Sequence, residues 1–193
     1  MNEEEKIEKL YDVLGVAEEP PSEAWGREDL LDFLSSLGDL NFVNSYNQSP
    51  LGLACRYGLN DVVEIMISMG AKVDFMGKSH RTMIEAPIHR ACCYKQESCL
   101  EVLIKAGADV NLLNSIGHSP LAVSFTNCFR SPLPLAQKLI DNGAVLDSDA
   151  VEFGIAWSRD VFVSFCSKNR LVIPEKNDSS SIDVSGKNIP PVP

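Results

Sequence analysis

The reactive side chains of this 193-residue chain are three histidines, His80, His89 and His118, and six cysteines, at 55, 92, 93, 99, 128 and 166. A zinc site needs Cys or His ligands at short paired intervals, and the spacing offers neither a CxxC pair nor a Cys/His set of that kind. Nucleophilic catalysis needs a Ser or Cys served by a base that an acid orients, and no Asp or Ser joins the three histidines in a recognisable catalytic order. A phosphate-cradling glycine loop and a nucleophile elbow are also missing from the sequence. The expectation is therefore no catalytic residue, no metal ligand and no bound cofactor. Recognition, not turnover, is the chemistry to look for, and the thiols are expected to be reduced.

Composition agrees with that reading. The chain is 45% hydrophobic and 23% charged, ordinary for a folded domain with a substantial core. No apolar run approaches a membrane span, and Met1 to Lys9 is charged where a secretory peptide needs an apolar stretch, so a cytoplasmic or nuclear location is expected. The net charge is −10, of which −7 lies in residues 1–29. That acidic leader reads as a solvating arm. The rest of the chain lacks the Lys and Arg cluster that phosphate neutralisation needs, which argues against nucleic acid as a partner.

The positioning elements follow from periodicity. Ile7, Leu10, Tyr11 and Leu14 fall on one stripe of a helix over residues 3–16, which Gly15 and the Pro20-Pro21 loop end. A second helix is expected from Arg27 to Leu37, stopping at Gly38. Beyond it the chain repeats itself. Pro50 to Gly70 and Pro87 to Gly107 both span twenty residues, while Pro120 to Gly143 spans twenty-three, the surplus lying at Phe129 to Pro134. Each unit reads as a helix opening at proline, a tight break, a second apolar helix and a glycine stop.

The clearest unit, Ala86 to Pro120, resembles the ankyrin repeat: Ala86-Pro87-Ile88-His89, then Cys99 to Ile104, then Gly107 to Asn111, then Asn114 to Pro120. The resemblance implies an all-α solenoid of stacked helix-turn-helix units joined by β-hairpin fingers. The expected organisation is an acidic helix and loop over residues 1–26, a repeat domain over 27–173 with about three core repeats and divergent caps, and a disordered tail over 174–193. In this reading Ala54, Cys55, Ala91 and Cys92 are small because adjacent first helices approach closely. Val63, Ile67, Leu103, Ile104, Leu139 and Ile140 cover the second helices. His89 takes the family's histidine, whose ring bridges backbone groups of neighbouring turns. Gly52 and Ala122 depart from that histidine, and Phe125 departs from a small residue. Two short helices after Asp147 form a C-terminal cap.

The family binds its partners along the concave wall of fingers and first helices. Carried over residue by residue, that wall comprises Val43, Ser45, Tyr46, Gln48, Leu113, Ser115, Ile116 and His118 on the fingers. Arg56, Tyr57, Cys93, Tyr94, Thr126 and Asn127 belong to the first helices. Tyrosines offer large contact area at little rotamer entropy. One feature is this sequence's own: the finger before Pro87 is longer than its counterparts and carries Lys78, His80 and Arg81, expected to touch a partner. Leu103, Asp109, Val110 and Asn111 also resemble the pattern for asparaginyl hydroxylation, which leaves Asn111 as either a modification site or plain repeat consensus. The function expected is a non-catalytic adaptor or scaffold, a monomer that binds a folded protein surface or an extended peptide. The alternative is a stoichiometric inhibitor or immunity-type protein that occludes an enzyme or transcription factor.

Overall fold

The computed structural model describes residues 2–13, 27–77, 83–126 and 130–173. Its helices are α1 (Glu3–Val13), α2 (Arg27–Leu37), α3 (Pro50–Tyr57), α4 (Asn60–Ser68), α5 (Pro87–Cys93), α6 (Glu97–Lys105), α7 (Pro120–Ser124), α8 (Leu133–Asp141) and α9 (Ser148–Lys168). No described helix is long and apolar enough to cross a membrane. Three helix pairs, α3/α4, α5/α6 and α7/α8, stack so that α3, α5, α7 and α9 form one row and α4, α6 and α8 another. None of the three pairs encloses its own apolar face. Each becomes a core only against its neighbours.

The helix starts follow the chemistry of the residue before proline. The Ser49 hydroxyl accepts the Gly52 N–H at 3.0 Å and the Ser119 hydroxyl accepts that of Ala122 at 3.1 Å. Ala86 occupies the same place before α5 and makes no side-chain cap. Each pair closes on a left-handed glycine, Gly70, Gly107 or Gly143, at φ +96°, +88° and +89°. In each case the following alanine N–H reaches back into the helix, from Ala71 to Met66, Ala108 to Leu103 and Ala144 to Leu139.

Ala54, Cys55, Ala91 and Cys92 are fully buried between the first helices. On the second helices Val63, Leu103 and Leu139 are covered as expected, and the stripe is narrower than the repeat pattern suggests. Val63 and Met66, Leu100 and Leu103, and Leu135 and Leu139 are fully buried, whereas Ile67, Ile104 and Ile140 are half-buried on its flank.

Two expectations are corrected. The part of the leader that forms α1 is not a solvated arm: Ile7 and Leu10 are buried, and the Lys6 ammonium donates to the Leu37 carbonyl at 3.0 Å while lying 5.1 Å from the Phe42 ring centroid. Two apolar residues one turn apart are enough to dock a helix whose other faces are charged. The second correction concerns the fingers. Among the described residues there is no strand. The fingers at residues 44–48 and 114–118 are tight turns, because each spans too few residues for a ladder.

The C-terminal cap is α9, broken at Ser158 (φ −166°, ψ 103°) into two helical halves. The break lets Phe162 fold back onto Gly154, where an added Cβ would lie 2.3 Å from the ring. Phe125, the bulky departure from the repeat, ends α7. It is absorbed here by packing edge-on to Phe162 at 5.2 Å and tilted against Trp157 at 6.3 Å.

Candidate functional site

Fingers one and three are built on an asparagine. The Asn44 N–H donates to the Gln48 carbonyl at 3.2 Å, while its side-chain oxygen accepts from Tyr46 N–H at 3.1 Å and Gln48 N–H at 3.0 Å. Seventy residues on, Asn114 repeats the arrangement with His118 (3.0 Å) and Ile116 (3.1 Å). Both turns need a left-handed residue before the last, supplied by Gly117 (φ +89°) in one and Asn47 (φ +54°) in the other. The asparagine consumes the inward polar groups, so the residue at the tip is free to be apolar.

That tip is Tyr46, 70% exposed, in finger one and Ile116, 57% exposed, in finger three. The residue four before Pro87 is Met83, 43% exposed. These three positions form one apolar row. The fingers are also tied to one another. Asn47 donates its side-chain amide to the Met83 carbonyl at 3.4 Å, Ser115 N–H donates to the Ile84 carbonyl at 3.1 Å, and Ile84 N–H donates to the Ser115 hydroxyl at 2.8 Å. Leu113, 53% exposed, borders the row. Sequence reading missed Met83, although counting back from each helix-opening proline finds it.

A second set of contacts locks one repeat to the next. The Asn41 side chain donates to Gly70 O at 3.3 Å and accepts from Lys72 N–H at 2.7 Å. Asn111 does the same with Gly143 O at 3.0 Å and Val145 N–H at 2.8 Å. Between them, Asp74 accepts from Asp109 N–H at 3.2 Å. Burial raises the Asp74 pKa, and this backbone donor offsets part of the rise. Asn111 is thus engaged at both ends of its amide.

On the first helices, the Arg56 guanidinium lies 4.9 Å from the Tyr94 ring and 5.5 Å from the Tyr57 ring. The carbonyl of Arg56 accepts from the Gln96 side chain at 3.1 Å. Several expected wall residues turn out to be engaged within the fold. Val43 packs over Gly77, where a Cβ would come within 2.4 Å of it. Gln48 accepts from the Asn44 amide at 2.9 Å. The Ser45 N–H donates to the Glu4 carboxylate of α1. His118 stands edge-on to Phe153 at 5.1 Å, with Asp149 3.7 Å away. The Thr126 carbonyl accepts from the buried Lys95 ammonium at 2.6 Å. Cys93, Tyr57 and Tyr94 are half-buried. Lys78, His80, Arg81 and Asn127 lie outside the described residues.

His89 is fully buried beneath the third finger. Its two ring nitrogens make no hydrogen bond of ordinary geometry. Burial holds its pKa down at about 4, and the neighbouring backbone of Leu112, His118 and Ala86 opposes the shift. The ring is therefore neutral at physiological pH, enclosed and unable to meet a substrate. Burial likewise pushes up the thiols of Cys55 and Cys92, and that of Cys166 to about 11, so none of these three is a ready thiolate. Among the described residues no group of three His, Cys, Asp or Glu side chains is placed to hold a metal.

Residues 22–114 match the family model described as ankyrin repeats, three copies. No curated protein matches the chain. The interlocking pattern runs on past the matched segment, since the Asn111 clamp joins the α5/α6 pair to the α7/α8 pair.

Proposed function

Residues 22–114 of this chain match the ankyrin-repeat family, and from that match we propose that the protein is a non-catalytic adaptor that binds another protein along its fingertips and first helices. Repeats of this family generally mediate protein–protein interaction. The observation that carries the assignment to this face is the row of Tyr46, Met83 and Ile116: three large apolar side chains at the same position of successive fingers, exposed, and braced by hydrogen bonds from finger to finger. Exposed apolar groups held on a stiff frame lose little entropy on binding. A contiguous patch of them is the usual mark of an interaction surface.

A photo-crosslinking amino acid tests the assignment. Placed at Tyr46 it should capture the partner in cells, and placed at the exposed Glu64 on the second-helix side it should not. Equal capture from both positions would sink the proposal. The same reading assigns the lengthened finger, with Lys78, His80 and Arg81, to partner contact. Alanines at Lys78 and Arg81 should weaken capture without moving the melting temperature. Asn111 is proposed as a hydroxylation site. Its amide must first leave Gly143 and Val145, so added oxygen should appear by intact mass only when the enzyme acts on a loosened stack.

A further inference from the structure

Between the first finger and helices α3 and α5 lies a shallow depression lined by Asn47, Gln48, Gly52, Arg56, Glu85 and Arg90. It exists because the repeat departs from its own pattern. Gly52 stands where the next repeat places the buried His89, so no ring fills the space beside Arg90. The charges within it are unequally satisfied. Glu85, whose side chain is 3% exposed, is paired with Arg90 at 3.0 Å, so this pair is internally neutral. Arg56 makes no ion pair among the described residues. Its guanidinium is set against the faces of Tyr94 and Tyr57. Stacking on aromatic faces restrains the planar group, and a guanidinium held that way can meet a carboxylate with two parallel hydrogen bonds along its N–H edge.

We propose that the mouth of this depression, whose interior of about 10 Å³ has room for little more than a water molecule, meets the carboxylate of an acidic, extended segment of the partner, with Arg56 as the donor. The inference rests on the adaptor reading and names the chemistry of one contact within it. The chain's net charge of −10 does not forbid it. Charges farther off than about 8–10 Å are screened at physiological salt, and the carboxylate lining the depression, Glu85, is already neutralised by Arg90. The same bookkeeping selects against a phosphate. One unpaired guanidinium balances a single negative charge, whereas a phosphoryl group brings about −1.5 to −2 beside buried Glu85.

The test uses the full chain and three fluorescein-labelled peptides, one alternating Glu and Leu, one with Gln in place of Glu, and one with phosphoserine in place of Glu. Fluorescence anisotropy should show the Glu peptide binding at least about tenfold tighter than the Gln peptide, and tighter than the phosphoserine peptide. The preference for Glu should vanish in Arg56→Gln and return only in part in Arg56→Lys, which restores charge without the fork. A melting temperature for Arg56→Gln equal to that of the parent separates lost binding from lost fold. Equal binding of the Glu and Gln peptides, no effect of Arg56→Gln, a phosphoserine peptide that binds more tightly, or no binding of the Glu peptide at millimolar concentration each overturns the proposal. None of these results bears on crosslinking at Tyr46, so the adaptor reading stands or falls separately.

Discussion

Asn111 is the sharpest place to test how this stack is held together. Replacing it with alanine removes two hydrogen bonds to the next repeat, Nδ2 to Gly143 O at 3.0 Å and Val145 N–H to Oδ1 at 2.8 Å. It buries nothing and opens no cavity, because the side chain is exposed. Each neutral hydrogen bond contributes about 0.5–1.5 kcal/mol net, and exposure favours the lower end, so the pair should be worth about 1–2 kcal/mol. Aspartate at 111 keeps the acceptor for Val145 but loses the donor and sets a carboxylate against the Gly143 carbonyl. It should lose about 1 kcal/mol, since one of two bonds survives. Urea unfolding followed by circular dichroism measures both, with an unchanged m-value expected because the surface exposed on unfolding is the same. Hydrogen exchange adds the location. The amide of Val145 should exchange faster in Asn111→Ala, while that of Lys72, held by the equivalent Asn41, should not. Asn41→Ala should mirror the effect at the other end, and the double variant should be additive within about 0.5 kcal/mol, because the sites share no partner. An Asn111→Ala protein within about 0.3 kcal/mol of the parent would refute the claim that these clamps couple the repeats, since that falls below the smallest net bond.

Three further expectations follow from the packing. Lys95 sits at φ +58° with its ammonium donating to the Thr126 and Cys92 carbonyls. Lys95→Ala should cost about 1.5–3 kcal/mol for the charged bond, and Lys95→Gly should be the more stable of the two by about 1 kcal/mol, because glycine relieves the left-handed backbone; the reverse order by thermal melting would contradict this. Gly154→Ala should destabilise by about 1–3 kcal/mol through overpacking, its methyl arriving within 2.3 Å of the Phe162 ring. Differential scanning calorimetry should show Phe162→Leu recovering part of that loss. His89 gives a pH signature. Unfolded histidine takes a proton near pH 6.5, whereas burial holds the folded group at about 4. Between those values the unfolded chain holds more protons, so stability is full above about pH 6.5 and falls as the pH drops toward 4. The loss through this one group is roughly 3 kcal/mol. Urea midpoints at pH 7 and 4.5 should differ less for His89→Gln than for the parent, and equal differences would remove the assignment.

The one-dimensional order of this protein was already legible in its residues. Proline with a preceding serine opens a helix because of local hydrogen-bond geometry, and glycine closes one because of local sterics. The twenty-residue interval between them therefore announced the helix pairs before any tertiary contact was known. Small residues at 54, 55, 91 and 92 likewise signalled close helix approach. What the residues could not convey was which polar side chains the fold would consume. Ser115 and His118 share the polarity of residues that contact partners. Yet each is spent on a neighbouring turn or repeat that lies next to it only once the stack exists. The docking of α1, the break at Ser158 that seats Phe162 on Gly154, and the depression left beside Arg56 by Gly52 are decided in the same way. Local propensity acts over a few bonds and can be read in order along the chain. Burial and pairing depend on distances between residues some thirty to forty positions apart, and only the assembled stack sets those.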